Sequence, residues 1–495
     1  MIRRAFVKAS SIGAIAAPFS LPHRLFADQR NQSAFVGIQI SPPTILDEGV
    51  EKCLDILQES AKVNTLLCYS QTYHGGYRPP HVMADHGFGV RDMAKRNLPY
   101  LWARSNPSFY KSTILRHQEV SKTHEYGDRD VFNELYKPLE RRGVKLQARI
   151  LEAGARRKDR IGNYDQVLTQ DIYGAPGRGP CWNHPDYREW VYLTIQELLI
   201  RYPFLSGIQY GAERTGPLSH VLDRGDLPTC FCAHCVSRAK KKGIDHNAAK
   251  LGFTELYNWI KRIESGDPIA ANAAMTGVYR IYQRYPEVLA WNFEWFQADN
   301  EIHQGIYDRV KSINPSFAVG RHVDHQRSSW DLLYRSAVSY GDMTTSADYI
   351  KPILYHDIFG LRLYHWVLER RQKRLQSNLS LEDALASFYA DFGYDAVQMP
   401  TLSELRDKGM GPAYVEHETQ RCVREVGGKA KVYAGIGVDV AWHLPEGGMR
   451  AHPSPPQRTK AAVKAALDVG ADGILISREY NEMRLESLRE IGKVL

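Results

Sequence analysis

Eight short runs rich in apolar and β-branched residues punctuate the chain, at 35–40, 64–69, 145–151, 207–210, 317–320, 349–355, 431–436 and 473–477. Between them the apolar positions recur at helical spacing, as at 50–60, 131–142, 188–201, 294–313, 414–426 and 459–469. Strand runs that alternate with amphipathic helices are the signature of βα units and a parallel sheet. Eight of them in this order predict an α/β fold of the closed (β/α)8 type, a TIM barrel. Residues 396–399 offer a ninth short strand, and an open doubly wound sheet is the alternative topology. No glycine-rich dinucleotide or phosphate loop follows any strand, which argues against a nucleotide on such a sheet.

Two connections are far longer than a barrel needs, one after strand 2 (71–129) and one after strand 4 (211–287). Both belong to the C-terminal mouth, where barrel enzymes build their sites. They carry Tyr73, Tyr77, Tyr100, Trp102, Phe109, Tyr110 and Trp259, whose faces could stack on sugar rings or simply fill the loops.

With 43% hydrophobic and 24% charged residues in 495, the composition is that of a globular chain. Barrels with insertions reach this length as one domain, so residues 28–495 are read as a single barrel domain with the cysteine-bearing insertion around 181–242. Arg3, Arg4, Lys8 and Arg24 account for half of the formal net charge of +8, and the first 27 residues contain no acid. The remainder has no basic stripe interleaved with aromatics, which excludes a nucleic-acid partner on this reading. Arg3-Arg4-Ala-Phe-Val-Lys8, the mild apolar run 9–19 and Leu25-Phe26-Ala27 resemble a bacterial twin-arginine signal. That resemblance implies a removed segment 1–27, the twin-arginine translocase as a partner during export, and a periplasmic or secreted product. The run is too short and too weakly apolar for stable membrane insertion.

Four of seven cysteines attract notice. Cys230, Cys232 and Cys235 form C-F-C-A-H-C after strand 4, and Cys181 lies one loop earlier. Adjacent βα loops meet in space, and four thiolates at this spacing suit a closed, structural Zn2+ site, with His234 as a substitute ligand. Disulfides are the alternative in an oxidising compartment. Cys53, Cys68 and Cys422 fall on strand or helix patterns and read as core thiols.

This segment, about 181–242, resembles the zinc-cluster region of glycoside hydrolase family 42 β-galactosidases, barrel enzymes of clan A. In that family a glutamate at the end of strand 4, shortly before the cysteine triplet, is the catalytic acid/base. Glu213, in Gly207-Ile-Gln-Tyr-Gly-Ala-Glu213, occupies that place here. The family's asparagine before it is replaced by Ala212, and no clear glutamate ends strand 7.

The residues themselves point the same way. Glycoside hydrolysis needs two carboxyl groups facing the scissile bond. Strand ends supply Glu152, Glu213, Asp324, Asp357, Asp439, Glu479 and Glu482, accompanied by Arg149, Arg214, Arg321 and Arg478. Glu213 is expected to act as general acid/base. Asp439 ranks first as its partner, because Ala434-Gly-Ile-Gly-Val lets strand 7 end tightly; its other reading is a turn cap. Glu479 ranks next and Asp357 third. Tyr73, Tyr210, Arg214, Arg321, His322, Asp324, Tyr355 and Asp357 are expected to contact a carbohydrate substrate. Two other readings stand beside the glycosidase: a metal-dependent hydrolase using His322 and Asp324, although Gln39 and Ser41 stand where strand 1 would need histidines, and a non-catalytic carbohydrate-binding barrel.

Overall fold

The computed structural model describes residues 34–71, 101–117, 126–152, 161–443 and 449–495. The expected signal segment 1–27 and Tyr73 lie outside the described residues. Phe35–Leu495 forms one compact unit. Within it eight parallel strands close into a barrel: β1 (Phe35–Ile40), β2 (Thr65–Tyr69), β3 (Lys145–Glu152), β4 (Gly207–Ala212), β5 (Ala318–Val323), β6 (Tyr349–Leu354), β7 (Lys431–Gly437) and β8 (Gly473–Ser477). Every strand pairs with its sequence neighbours, and β8 returns to β1 through Phe35↔Gly473. The strands are mostly apolar because both faces are buried, one by the barrel interior and one by the surrounding helices, and the few polar positions, such as Gln39, Gln209 and Lys351, face the interior. β8, Gly-Ile-Leu-Ile-Ser, is buried at every position.

Helix boundaries follow local chemistry. In Val131–Arg142 the Asp130 side chain accepts from the Asn133 amide, and Gly143, at φ 65°, closes the far end on Glu140 and Leu139. The expected ninth strand does not form: Asp395 accepts from the Val397 amide at 3.0 Å, and 396–399 is a turn that leaves Val397 exposed.

The barrel interior is layered. At the bottom Phe35 stacks on Tyr433 at 3.8 Å and Tyr349 leans on Tyr433 at 4.8 Å. Gly320 is required there, since a Cβ would meet the Tyr349 ring at 2.0 Å. Above lies a buried polar layer: Gln39 donates to Gln209 (2.9 Å), Ser477 to Gln39 (3.1 Å), Lys351 to Ser477 (2.7 Å) and Tyr349 to Gln147 (2.7 Å). A connected network of this kind links five of the eight strands in one arrangement. Three connections at the mouth are long, since the one from β6 to β7 also carries several helices, from Ile358–Arg362 to Gly411–Val426. None of the helices searched among the described residues is long and apolar enough to cross a membrane.

Candidate active site

Residue alternation on β4 and β5 decides which side chains reach the mouth. Gln209 faces inward, as its bond to Gln39 shows, so Gly211 and Glu213 follow on the same side. On β5, Gly320 and His322 face inward, and Asp324 follows. The register pairs Gly211 with His322, so Glu213 and Asp324, each two residues further, end neighbouring strands at matched positions. Gly211 permits the close approach: a Cβ there would lie 2.6 Å from the His322 ring.

Glu213 and Asp324 line one cavity of about 610 Å³, with Arg214, Tyr355, Trp330 and Trp366 among its walls. Asp324 is buried; its Oδ1 accepts from the Arg327 amide at 3.1 Å, and Arg327 Nε lies 3.2 Å from Oδ2. That guanidinium is shared with Asp299, at 2.8 Å, which also receives Arg321. The two acids therefore part company. Burial acts against ionisation of Asp299, yet Arg327, His303 and Arg321 hold it below the usual range. Burial pushes Asp324 up to about 7, Arg327 opposes this, and the charge of Glu213 pushes further.

The same alternation turns Tyr210 and Arg321 outward. Tyr210 packs edge-on to His303 at 5.2 Å, and Arg321 bonds to Asp299 and Asn300 of the long helix Glu287–Ile313. Both expected substrate contacts thus belong to the barrel–helix interface. His322 stays in the barrel, its Nδ1 3.4 Å from Lys351 Nζ; burial and Lys351 drive its pKa well below 6.5. Among the described residues, the set of three or more metal-binding side chains that converges is the four cysteines, so His322 and Asp324 lack further ligands for a catalytic metal.

Asp439, expected as the partner carboxylate, is spent elsewhere. At φ 49°, its side chain accepts from the amides of Ser454 and Arg484, both at 2.8 Å, and from the Arg484 guanidinium at 3.0 Å. The turn-cap reading describes this geometry. Glu479 accepts from Ser41 at 2.7 Å, and Asp357 pairs with Arg458 at 3.1 Å; neither lines the cavity. Of the remaining expected contacts, Arg214 and Tyr355 line it.

The sequence reading missed Trp330, Trp366 and Arg362. None belongs to a motif: Trp330 is in the turn that ends the helix His325–Ser329 after β5, and the other two sit on helical stretches after β6. A π-helical segment, Leu363–Leu368, interrupts the helix that carries Arg362 and Trp366, a local distortion frequent at functional sites.

Behind this wall the four cysteines meet. The Sγ atoms of Cys181, Cys230, Cys232 and Cys235 lie within 4.8 Å of one another, all buried, and all four thiols are free. The Cys181 to Cys235 and Cys181 to Cys232 separations are 3.5 and 3.4 Å, near the edge of about 3.8 Å for tetrahedral Zn–S bonds and far from a disulfide. Backbone and side-chain N–H groups also point at sulfur: Gln170 to Cys230 (3.4 Å), Asn183 to Cys181 (3.3 Å) and the Asn183 amide to Cys235 (3.4 Å). His234 leans against His184, ring centres 4.3 Å apart and planes tilted by 58°, instead of joining the group. The cluster fixes Cys181-Trp182, whose ring stacks on Trp295 at 4.9 Å and carries the Arg214 guanidinium at 4.3 Å.

No family model and no curated protein matches the chain. Among solved structures it is similar to an α-L-fucosidase isoenzyme 2 from Paenibacillus thiaminolyticus, at 13% identity and TM-score 0.43 over 93% of this chain and 49% of that one. It is also similar to a β-galactosidase from the psychrophilic Marinomonas ef1, at 10% identity and TM-score 0.49 over 93% and 58% of the two chains. A chitinase from Chromobacterium violaceum follows at 8% identity and TM-score 0.39, covering 94% of this chain and 100% of that one. The chain spans about half the length of the first two.

Proposed function

We propose that this protein is a glycoside hydrolase whose chemistry is carried by Glu213 and Asp324. The supporting observation is the pair itself: two carboxyl groups at register-matched ends of β4 and β5, lining one aromatic-walled cavity. Such a reaction needs one carboxyl that keeps its proton near neutral pH and one that works as carboxylate. Asp324, buried and raised to about 7, is suited to give its proton to the leaving glycosidic oxygen. Glu213 stands open in the cavity wall, where it can activate water or attack the anomeric carbon. The sugar ring would lie against Tyr355, Trp330 and Trp366.

The four cysteines are proposed to hold a structural Zn2+, which would tie the β3 and β4 loops together and so fix Trp182 and Arg214 beside Glu213. Export of the folded barrel by the twin-arginine translocase is proposed from residues 1–27. Replacing Arg3 and Arg4 with Lys should strand the precursor in the cytoplasm, and normal export of that variant would refute it.

The deciding experiment incubates the purified protein with aryl glycosides and polysaccharides and measures aglycone and reducing ends. Release that Glu213→Gln suppresses supports the hydrolase; glycan binding without release would mark a carbohydrate-binding barrel.

A further inference from the structure

Arginines at the mouth differ in how their charge is met. Arg478 is paired with the buried Glu482 at 2.8 Å, and Arg371 with Asp391 at 2.7 Å. Arg362 has no ion-pair partner among the described residues. It is 7% exposed, on the helix after β6, and lines the same cavity as Glu213. Its Nη1 lies 2.8 Å from His325 Nδ1, its guanidinium is 5.5 Å from the Tyr355 ring and 5.1 Å from Trp366, and its Nε has no hydrogen-bond partner. Burial and the neighbouring Arg478 push its pKa down to about 10, so it remains a cation at neutral pH, held against repulsion. Further out, Arg370 also lines the cavity, half-buried and without a hydrogen-bond or ion-pair partner among the described residues; Arg224 beside it lowers its pKa, after burial.

A buried guanidinium that pairs with no carboxylate and feels Glu213 only across the cavity is costly, and a neutral side chain would fill the same space between Tyr355 and Trp366. The charge becomes favourable once an anion enters, because the guanidinium fork fits the paired oxygens of carboxylate or sulfate. Glu213 lies close enough for its charge to act on Arg362, so an anion bound there would sit beside the reacting bond.

We infer that the cavity selects an acidic glycan, with Arg362 receiving the anionic substituent, a uronate carboxylate or a sulfate half-ester, of the sugar next to the scissile bond. Arg370 would meet a second charge further along the chain. This rests on the glycosidase reading of the same cavity.

The test measures binding to the full-length protein, with tryptophan fluorescence as readout, of tetragalacturonate, a sulfated galactan tetrasaccharide and its desulfated counterpart. At least one acidic ligand should bind tenfold or more tighter than the neutral one, and 0.5 M salt should shrink the gap. The ligand that gains identifies the carboxylate or the sulfate source. Arg362→Gln should bring the ratio close to one, and Arg370→Gln should lower it about threefold. Equal binding of all three by the wild-type protein overturns the inference whatever the variants do. So does a preference that survives Arg362→Gln in a folded variant. Preference without cleavage would remove the hydrolase reading and leave the acidic subsite; cleavage of neutral glycans without preference would do the reverse.

Discussion

On the β4–β5 side of the mouth, Glu213 and Asp324 face a shared cavity, and the scaffold behind them is the cysteine cluster with the Trp182–Trp295 stack. On the β7–β8 side, Asp439, Glu479 and Glu482 also follow strand ends, yet Arg484, Ser41 and Arg478 take them up. Both sides offer carboxylates and arginines at equivalent places in the fold. What separates them is who supplies the rigidity. Where buried thiols and stacked rings hold the loops, Glu213 stays exposed in the cavity and Asp324 shares Arg327 with Asp299; where loops are held by acid–arginine contacts, the acids are withdrawn from the cavity.

The largest effect should come from attacking the first scaffold. Cys232→Ser should remove the proposed zinc and with it the junction of the β3 and β4 loops. Metal content, melting temperature and turnover should fall together, since structural zinc binding is folding energy. A variant with native melting temperature and no metal would assign the thiols another role, and intact disulfides among them by mass spectrometry would replace the metal.

Next in size is the chemical contrast. Glu213→Gln should cut turnover of an unactivated glycoside at least about a hundredfold while leaving the fold intact. Glu479→Gln should stay within about threefold, because its carboxyl bonds to Ser41 outside the cavity. A reversal of these two outcomes would move the chemistry to the β8 side. Activity should also fall as pH rises through about 7, where Asp324 loses the proton it is proposed to deliver.

The converse substitution tests the second scaffold. Asp439→Asn keeps the shape and tolerates the left-handed backbone, but takes the charge from Arg484 and an acceptor from one buried amide. Burial raises the Asp439 carboxyl above its usual range despite Arg484, so the cost comes mainly from the lost acceptor: about 1–2 kcal/mol in stability, read by denaturant unfolding, with turnover of the folded fraction near normal. Loss of turnover without loss of stability would restore Asp439 as a catalytic carboxylate.

Much of this was legible in the sequence, and the reasons differ by region. The barrel strands announce themselves because burial on both faces keeps them mostly apolar, with only scattered polar positions such as Gln147 and Gln209. The cysteine set follows from spacing alone. Orientation at the strand ends was available too: counting by twos from Gln209 reaches Glu213 and passes over Tyr210, and from Gly320 reaches Asp324 and passes over Arg321. What no local pattern reveals is a partner distant in sequence. Nothing near Asp439 announces Arg484, and nothing near Arg362 announces that its charge is left unmet. The helical insertion after β6, which supplies Arg362 and Trp366, reads as ordinary amphipathic helix.

The smallest expected effect separates the two sides most sharply, because its sign is opposite to that of Asp439→Asn. Folding carries the Asp324 carboxyl from the unfolded value of about 4 up to about 7. At pH 3 and below the proton is almost fully on in both states and the group costs next to nothing. Between pH 4 and 7 the folded protein still holds a proton that the unfolded chain has released, so stability falls as pH rises, and above 7 the whole penalty is present. Asp324→Asn removes the titration and keeps a side chain able to accept the Arg327 amide. It gives up the 3.2 Å contact with Arg327, which Asp299 continues to pair, so only a minor part of the gain survives. The variant should therefore be more stable than wild type at pH 8 by about 1 kcal/mol, a melting shift of roughly 1–2 °C, and close to wild type at pH 3. Its turnover should be lost at both. A variant that melts lower at pH 8 than at pH 3, relative to wild type, would mean that folding lowers the Asp324 pKa instead of raising it, the carboxylate being held by Arg327. The β5 acid would then belong with Asp439 among the scaffold, and Glu213 would need another proton donor.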